Sequence, residues 1–408
     1  MFLKKTIYTL SILSISSAAL ASGYQISEYS STNLGRAFAG SGLVGDDFSA
    51  LAYNPAGMQL NQTSGIQGGA SLIVLHADYR NVADNSPDMG KHDSTMARTL
   101  PHFFAQYKLN EQFTFGAGIY TPYGLIIDYN NNWSGRNHGI LSELKAVDLS
   151  PAISYQPFKM LSIGASLNIQ YADARLTGAG STASGIGYTT DLNGKDTTAF
   201  GYSAGIVLTP VENLRLGVSY RSKVSHTLKG KVKQTIMGYI NLKNDVSAKI
   251  TTPELVLISG AYDVNKQLTL SAAARWTRWT RFDQLDIVSN ANPISSTTEN
   301  WKNTWFYSLG ADYKVNNNWT VRLGAAYDET VIKSPAYRTV RIPDGHRWFG
   351  SIGLSYATGN WQYDLGYTHV WMNGGNARQK DAASAERPNV HYNNAGAYMT
   401  SASIQYKF

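Results

Sequence analysis

The amino-acid sequence predicts an all-β chain: a fourteen-stranded antiparallel transmembrane β-barrel with its own N-terminal segment folded as a plug in the lumen. Three observations predict it. Long stretches alternate apolar and polar residues, connections alternate between short and long, and the apolar phase of the strands ends in Tyr, Trp or Phe.

The chain opens with a secretory leader. Lys4 and Lys5 form a charged start, Ile7–Leu20 is apolar and serine-rich, and Ala19-Leu20-Ala21 offers a small-x-small cleavage site. The apolar run is too short to cross a hydrocarbon core of about 30 Å. Cleavage after Ala21 is expected, so residues 1–21 are leader and the mature chain starts at Ser22. No later run is apolar enough for a membrane helix, so any spanning elements are strands.

Residues 22–64 show neither strand alternation nor sustained helical spacing. Within them Gly40–Gly45, GSGLVG, spells a G-x-G-x-x-G. A dinucleotide turn needs a strand before it and a helix after it, with the pyrophosphate on the helix N-terminus. Here polar residues precede it and Asp46-Asp47, which would repel phosphate, follow it. The glycines instead suit tight turns against a wall. Leu34, Phe38, Leu43, Phe48, Leu51 and Met58 need burial, and a fourteen-stranded barrel has a lumen too wide for its own side chains to fill. The segment is therefore expected to fold as a plug inside it.

From residue 65 to 408 period two dominates. Leu214, Leu216, Val218 and Tyr220 alternate with Arg215, Gly217, Ser219 and Arg221. Leu268, Leu270, Ala272 and Ala274 alternate with Thr269, Ser271, Ala273 and Arg275. Val321, Leu323, Ala325 and Tyr327 face away from Arg322, Gly324, Ala326 and Asp328. Strand side chains point alternately to opposite faces, so each segment has one apolar surface. Many segments exceed ten residues, against about five or six in soluble sheets.

Tight turns are expected at 109–111, 156–158, 210–213, 264–266, 315–318 and 358–360. Longer polar stretches lie near 80–96, 130–141, 179–197, 230–245, 287–299, 333–345 and 373–394. Short periplasmic turns and long outer connections are the asymmetry of outer-membrane barrels. Thirteen connections make fourteen strands. The last strand places Tyr398, Ala402, Ile404, Tyr406 and Phe408 on one face and stops on an aromatic, which resembles the signal that outer-membrane assembly machinery reads.

Composition excludes other classes. With Cys 0 there are no disulfides or thiolate metal sites. The net charge of +7, or +5 without the leader's Lys4 and Lys5, is dispersed rather than gathered in a nucleic-acid-binding tract. His76, His92, His102, His138, His226, His346, His369 and His391 show no triad or metal spacing, so no enzyme, cofactor or metal is expected.

Gly23-Tyr24-Gln25, Leu34-Gly35-Arg36-Ala37, Asp46-Asp47 and Asn54-Pro55-Ala56 resemble the N-terminal hatch of FadL-type outer-membrane transporters. Pro122-Tyr123-Gly124-Leu125, Trp279-x-x-Phe282, Asn318-Trp319-Thr320 and Ile342-Pro343-Asp344 extend the resemblance over the whole mature chain. It implies passive uptake of hydrophobic molecules, long-chain fatty acids or, alternatively, aromatic and other uncharged hydrocarbons. Outer loops collect the ligand, a pocket in the upper lumen receives it, the hatch shifts, and the ligand leaves sideways at a kink in the third strand. The expected surroundings are outer-membrane lipid or lipopolysaccharide, with the chain a monomer.

The kink has a physical cause in this sequence. Pro122 cannot donate a ladder hydrogen bond, and Gly124 permits a sharp bend beside Tyr123. By resemblance Tyr24 lines the pocket from the hatch, Thr121 takes the place of a pocket hydroxyl and Asp328 of a pocket acid. Thr121 is in phase with Phe113, Phe115 and Ala117, so it faces inward only if the kink breaks the register. Where the family has a lysine near the tenth strand this chain has Thr297, with Lys302 the nearest base. Where the family has an arginine late in the fifth strand it has Gly178, with Arg175 three residues earlier. Arg275, Arg278 and Arg281 cannot all face the lumen. One or more would meet a ligand carboxylate or, at the outer rim, lipid phosphates. Ile236, Met237, Tyr239 and Ile240 form either an apolar landing patch or simple loop packing.

Overall fold

A computed structural model describes residues 22–81, 92–133, 135–181, 185–290, 292–378 and 390–408. The leader and its cleavage site lie outside the described residues. Fourteen antiparallel strands form the wall, some in two pieces. The first six are β1 Gly65–Asn81, β2 His92–Lys108, β3 Phe113–Asp128, β4 Leu141–Phe158, β5 Leu161–Ser181 and β6 Gly187–Val211. β7 runs Leu214–Arg221 and Val224–Ile236, and β8 runs Ile240–Thr252 and Leu255–Asp263. β9 comprises Leu268–Thr277 and Gln284–Ser289, and β10 Asn292–Thr298 and Thr304–Lys314. The wall continues through β11 Trp319–Asp328 and β12 Arg347–Thr358. It ends with β13, in the pieces Trp361–Met372 and Gly375–Ala377, and β14 Val390–Lys407. β1 pairs with β14 from Gly65↔Lys407 to Asn81↔Val390, which closes the cylinder and leaves no edge at the seam.

Alternation sorts the two faces. Leu309, Leu323, Ile352 and Leu365 are half exposed or more, as lipid-facing residues of an isolated barrel must be, while Arg322, Ser355, Asp364 and Ser403 on the opposite phase are buried. Trp305 and Tyr307, Tyr327 and Trp348, and Tyr202 and Tyr220 form neighbouring ring pairs on the outer side. They are the outer aromatic girdle of such barrels.

Three expected outer loops are instead largely strand. β5 and β6 pair out to Ser181↔Gly187, β7 and β8 to Ile236↔Ile240, and β9 and β10 to Ser289↔Asn292. Their polarity suggested loop, yet hairpins standing in water are polar wherever no core covers them. Of the loops expected near 130–141 and 333–345, residues 130–133, 135–140 and 333–345 are largely irregular. The expected turn at 156–158 moves to Lys159-Met160.

The phase of alternation changes part-way up β7. Leu216 and Val218 are exposed below Ser222-Lys223, whereas above it Val224, His226 and Leu228 are buried and Ser225, Thr227 and Lys229 face out. β8 does the same across Pro253-Glu254. β6 matches it with a bulge opposite Gln170–Ala172. Inserted residues re-aim every side chain beyond them.

Ahead of β1, the helices α1 Ser31–Gly35 and α2 Ala50–Tyr53 lead into a 3₁₀ turn, Pro55–Leu60. Ser30 caps α1 by accepting from the Asn33 N–H at 3.1 Å. This segment bonds to buried side chains around the cylinder: Phe48 N–H to Gln67 (2.8 Å), Ser219 to the Tyr53 carbonyl (2.6 Å), and Thr368 to the Leu34 carbonyl (3.1 Å). The glycines of GSGLVG all occupy the left-handed region, at φ 64°, 77° and 75° for Gly40, Gly42 and Gly45. That conformation, not phosphate binding, explains the motif. On the wall, a Cβ on Gly324 would lie 2.2 Å from the Arg36 carbonyl carbon, so only glycine lets α1 sit there.

Candidate functional site

Above Phe103↔Ile119, β2 and β3 stop pairing. β3 keeps its ladder with β4 but slips register between Tyr120 and Tyr123, around Pro122. Its freed edge is taken by the leading segment. Ile26 N–H donates to the Pro122 carbonyl at 2.8 Å, Gly124 N–H donates to the Tyr24 carbonyl at 2.8 Å, and Gln25 bridges Tyr123. Buried backbone groups need partners, and three residues of this segment supply them where β2 does not.

The same turn carries Tyr24 into an apolar cavity of about 70 Å³, bounded by Leu125, Leu144, Leu228, Ile250 and Phe282. The Tyr24 ring meets Trp279 at 4.8 Å, Phe282 at 5.4 Å and Tyr123 at 6.0 Å, all edge-on. A smaller cavity of about 30 Å³ lies beyond, lined by Pro122, Tyr123, Ile26, Arg221, Arg275 and Phe306. Tyr24 borders one cavity and Tyr123 the other.

Three charged residues line the larger cavity, Glu143, Glu299 and Arg341. Glu299 accepts from the Trp301 indole at 3.2 Å. Burial pushes its carboxyl up to about 8, with that hydrogen bond pulling less strongly the other way. Arg341 donates to Ser142 Oγ at 3.0 Å. Neither residue was singled out in the sequence, although Arg341 directly precedes Ile342-Pro343-Asp344.

The other expected ligand residues are dispersed. Thr121 is buried, because the register slip turns it in, but it lines neither cavity. Asp328 is buried away from the larger cavity, accepting from the Ser22 N–H at 2.8 Å beside Arg347 at 3.5 Å. Arg175 does not face the bore: its neighbours Ala174 and Leu176 line the cavity, and it pairs outward with Asp191 at 2.7 Å. It shares its phase with lipid-facing Ile163 and Leu167, a signal the sequence already held. Lys302 is half-buried and absent from the cavity lining; its backbone N–H donates to the Val331 carbonyl at 3.0 Å.

Asn54 starts the 3₁₀ turn by accepting from Ala56 N–H at 3.1 Å, and its amide donates to the Ile206 carbonyl at 3.2 Å across the wall. Pro55 occupies the first turn, where a missing N–H costs nothing. Lower down, Arg36 reaches Asp46 (2.8 Å) and Asp312 (2.9 Å), and Arg322 reaches the same two acids (2.9 and 2.6 Å). Burial penalises the Arg36 charge, but these acids outweigh it and hold the guanidinium firmly charged. The arginine run divides: Arg275 donates inward to Ser27 Oγ at 2.7 Å, while Arg278 and Arg281 pair with Glu254 at the rim. Met237, Tyr239 and Ile240 are exposed at the β7–β8 tip. Among the described residues no His, Asp and Glu group is placed to hold a metal.

Residues 12–408 match the family model described as outer membrane protein transport protein, OMPP1/FadL/TodX. The chain belongs to the OMPP1/FadL/TodX family. The long-chain fatty acid transport protein of Escherichia coli K12 is 26% identical over 400 residues, covering 87% of this chain and 90% of that one. Outer membrane protein P1 of Haemophilus influenzae is also 26% identical, covering 86% of both. Among solved structures, a Pseudomonas aeruginosa FadL homologue aligns at a TM-score of 0.85 and 24% identity, over 95% of this chain and 100% of that one. The P. putida toluene transporter TodX aligns at 0.71 and 16%, over 89% and 94%. This FadL-family chain is therefore an outer-membrane transporter of hydrophobic compounds.

Proposed function

We propose that the chain takes up long-chain fatty acids passively and releases them sideways through its wall. Outer hairpins collect the amphiphile, the apolar cavity receives its tail, and residues 22–64 act as a hatch whose first residues withdraw to open the gap between β2 and β3. The observation that carries this is the backbone pairing of Tyr24–Ile26 with Pro122–Gly124: one short segment both borders the cavity and fills the wall. Moving it would open both at once. Partitioning supplies the drive, at about 0.8 kcal/mol per buried methylene. Relatives of similar length named long-chain fatty acid transport protein support the substrate.

Cells lacking their own transporter, supplied with this chain and labelled oleate, should accumulate label. No gain over the empty vector would reject the reading. A second reading, uptake of uncharged aromatic hydrocarbons, draws on the neutral Glu299 at the cavity and on the toluene-transporter fold. Labelled toluene in the same cells distinguishes the two.

A further inference from the structure

The outward face of β6, β7 and β8 above the girdle carries six lysines: Lys195, Lys229, Lys231, Lys233, Lys243 and Lys249, all exposed. They are placed there by the change of phase at Ser222-Lys223 and its neighbours, which turns the odd-numbered residues outward. A tilted strand needs about 9–11 residues to cross the hydrocarbon. Leu214–Val224 of β7 already supplies that length, and Tyr202 and Tyr220 mark the interface on β6 and β7. Lys229, with Lys195 opposite it, and Lys249 therefore stand just above that boundary, at the height of the lipid headgroups, and Lys231, Lys233 and Lys243 stand further from the hydrocarbon.

Their pairing is the unusual part. Lys195 lies directly opposite Lys229, and Lys233 directly opposite Lys243. Like charges in cross-strand register destabilise a sheet. On the other side of these pairs Asp173 lies in register with Lys195 and Asp191 with Lys233, but Asp191 pairs with Arg175 at 2.7 Å, and Asp245 reaches Lys231 at 3.9 Å. Among the described residues Lys195, Lys229, Lys233, Lys243 and Lys249 have no carboxylate within ion-pair distance. Exposed ammonium groups with no carboxylate at ion-pair distance suit an external polyanion.

We propose that this face docks the phosphorylated headgroup of an outer-leaflet glycolipid, the lipopolysaccharide of the surrounding membrane. Its phosphates would bridge Lys195 and Lys229 near the hydrocarbon and Lys233 and Lys243 further out, beyond the level of Lys231, while its acyl chains lie along Tyr202, Val218 and Leu216 below. The inference needs only an outer-membrane location and stands apart from the uptake reading.

The test uses the full mature chain in detergent with two probes: lipid A carrying both phosphates, and the same lipid A dephosphorylated. The wild type should bind the phosphorylated form at least about tenfold more tightly. The variant Lys195→Gln/Lys229→Gln/Lys233→Gln should lose that preference, and the corresponding Lys→Arg variant should keep it. Heat-modifiable mobility on gels reports assembly. Should the glutamine variant fail to assemble, the wild type and the arginine variant still decide the matter. Equal binding of the two lipids by wild type, an unchanged preference in an assembled glutamine variant, or displacement of lipid A by millimolar inorganic phosphate would each overturn the proposal.

Discussion

The Gly124 amide donates to the Tyr24 carbonyl across 2.8 Å, joining the third strand of the wall to the segment that precedes the barrel. Pro122 makes that bond necessary. It interrupts the ladder, β2 parts from β3 above Ile119, and the exposed edge recruits a segment from outside the wall. A sealed wall and an obstructed cavity thus depend on the same few residues.

The kink is the first place to test. Pro122→Ala with Gly124→Val restores a donor and favours extended backbone, so β3 should regain pairing with β2. Oleate uptake is expected to fall by about tenfold, equivalent to roughly 1.4 kcal/mol, with assembly intact. Uptake at wild-type rate would show that the gap is not the exit.

Tyr24→Ala removes the ring that meets Trp279, Phe282 and Tyr123. Loss of such edge-on aromatic contacts costs roughly 0.5–1.5 kcal/mol each beyond area. The substitution should enlarge the cavity and loosen the turn at Gly23. Calorimetry with oleate should show an altered affinity; an unchanged isotherm would place the binding site elsewhere.

Glu299 makes ligand binding and stability depend on pH. Its folded value near 8 is raised above the usual 4.5, so the folded chain keeps a proton that the unfolded chain has released. Stability from this group therefore falls as pH rises from about 4.5 to about 8, and does not fall further above that. Apolar ligand binding should weaken through pH 8 as the cavity gains a charge. Glu299→Gln should flatten both profiles between pH 6 and 9. A wild-type ligand profile already flat there would contradict the assignment.

Arg36→Met leaves Asp46 and Asp312 facing one guanidinium, Arg322, instead of two. Breaking a buried ion pair by removing one partner costs about 3–5 kcal/mol. The loss should fall on the seating of the leading segment, not on the wall. Hydrogen exchange over residues 30–50 should quicken while β11 to β14 stay protected. Uniform exchange across both would indicate that the network holds the barrel itself.

Much of this was legible from residue order. Alternation in 319–328 or 361–372 assigns faces correctly because each residue's orientation follows from its immediate neighbours. Pro122 announced the kink for the same reason: a missing donor is local chemistry. Arg175 shows a signal that was present but outweighed by family position, since its phase with Ile163 and Leu167 already pointed it outward.

Other features lay beyond such reading. Thr121 turns inward only because β3 slips against β4, and residues 187–197 and 240–245 are strand because neighbours pair with them. Glu299 and Arg341 meet at one cavity although the first lies in the break within β10 and the second in the connection between β11 and β12.

The sequence by itself determined a lipid-embedded cylinder, its strand number and the place where its wall weakens, since these follow from period-two patterning and backbone chemistry within a few residues. Tertiary structure alone decided what occupies the weak point, which charges reach the cavity, and which face six lysines present. Those depend on register between segments far apart in the chain, and one inserted residue is enough to reverse them.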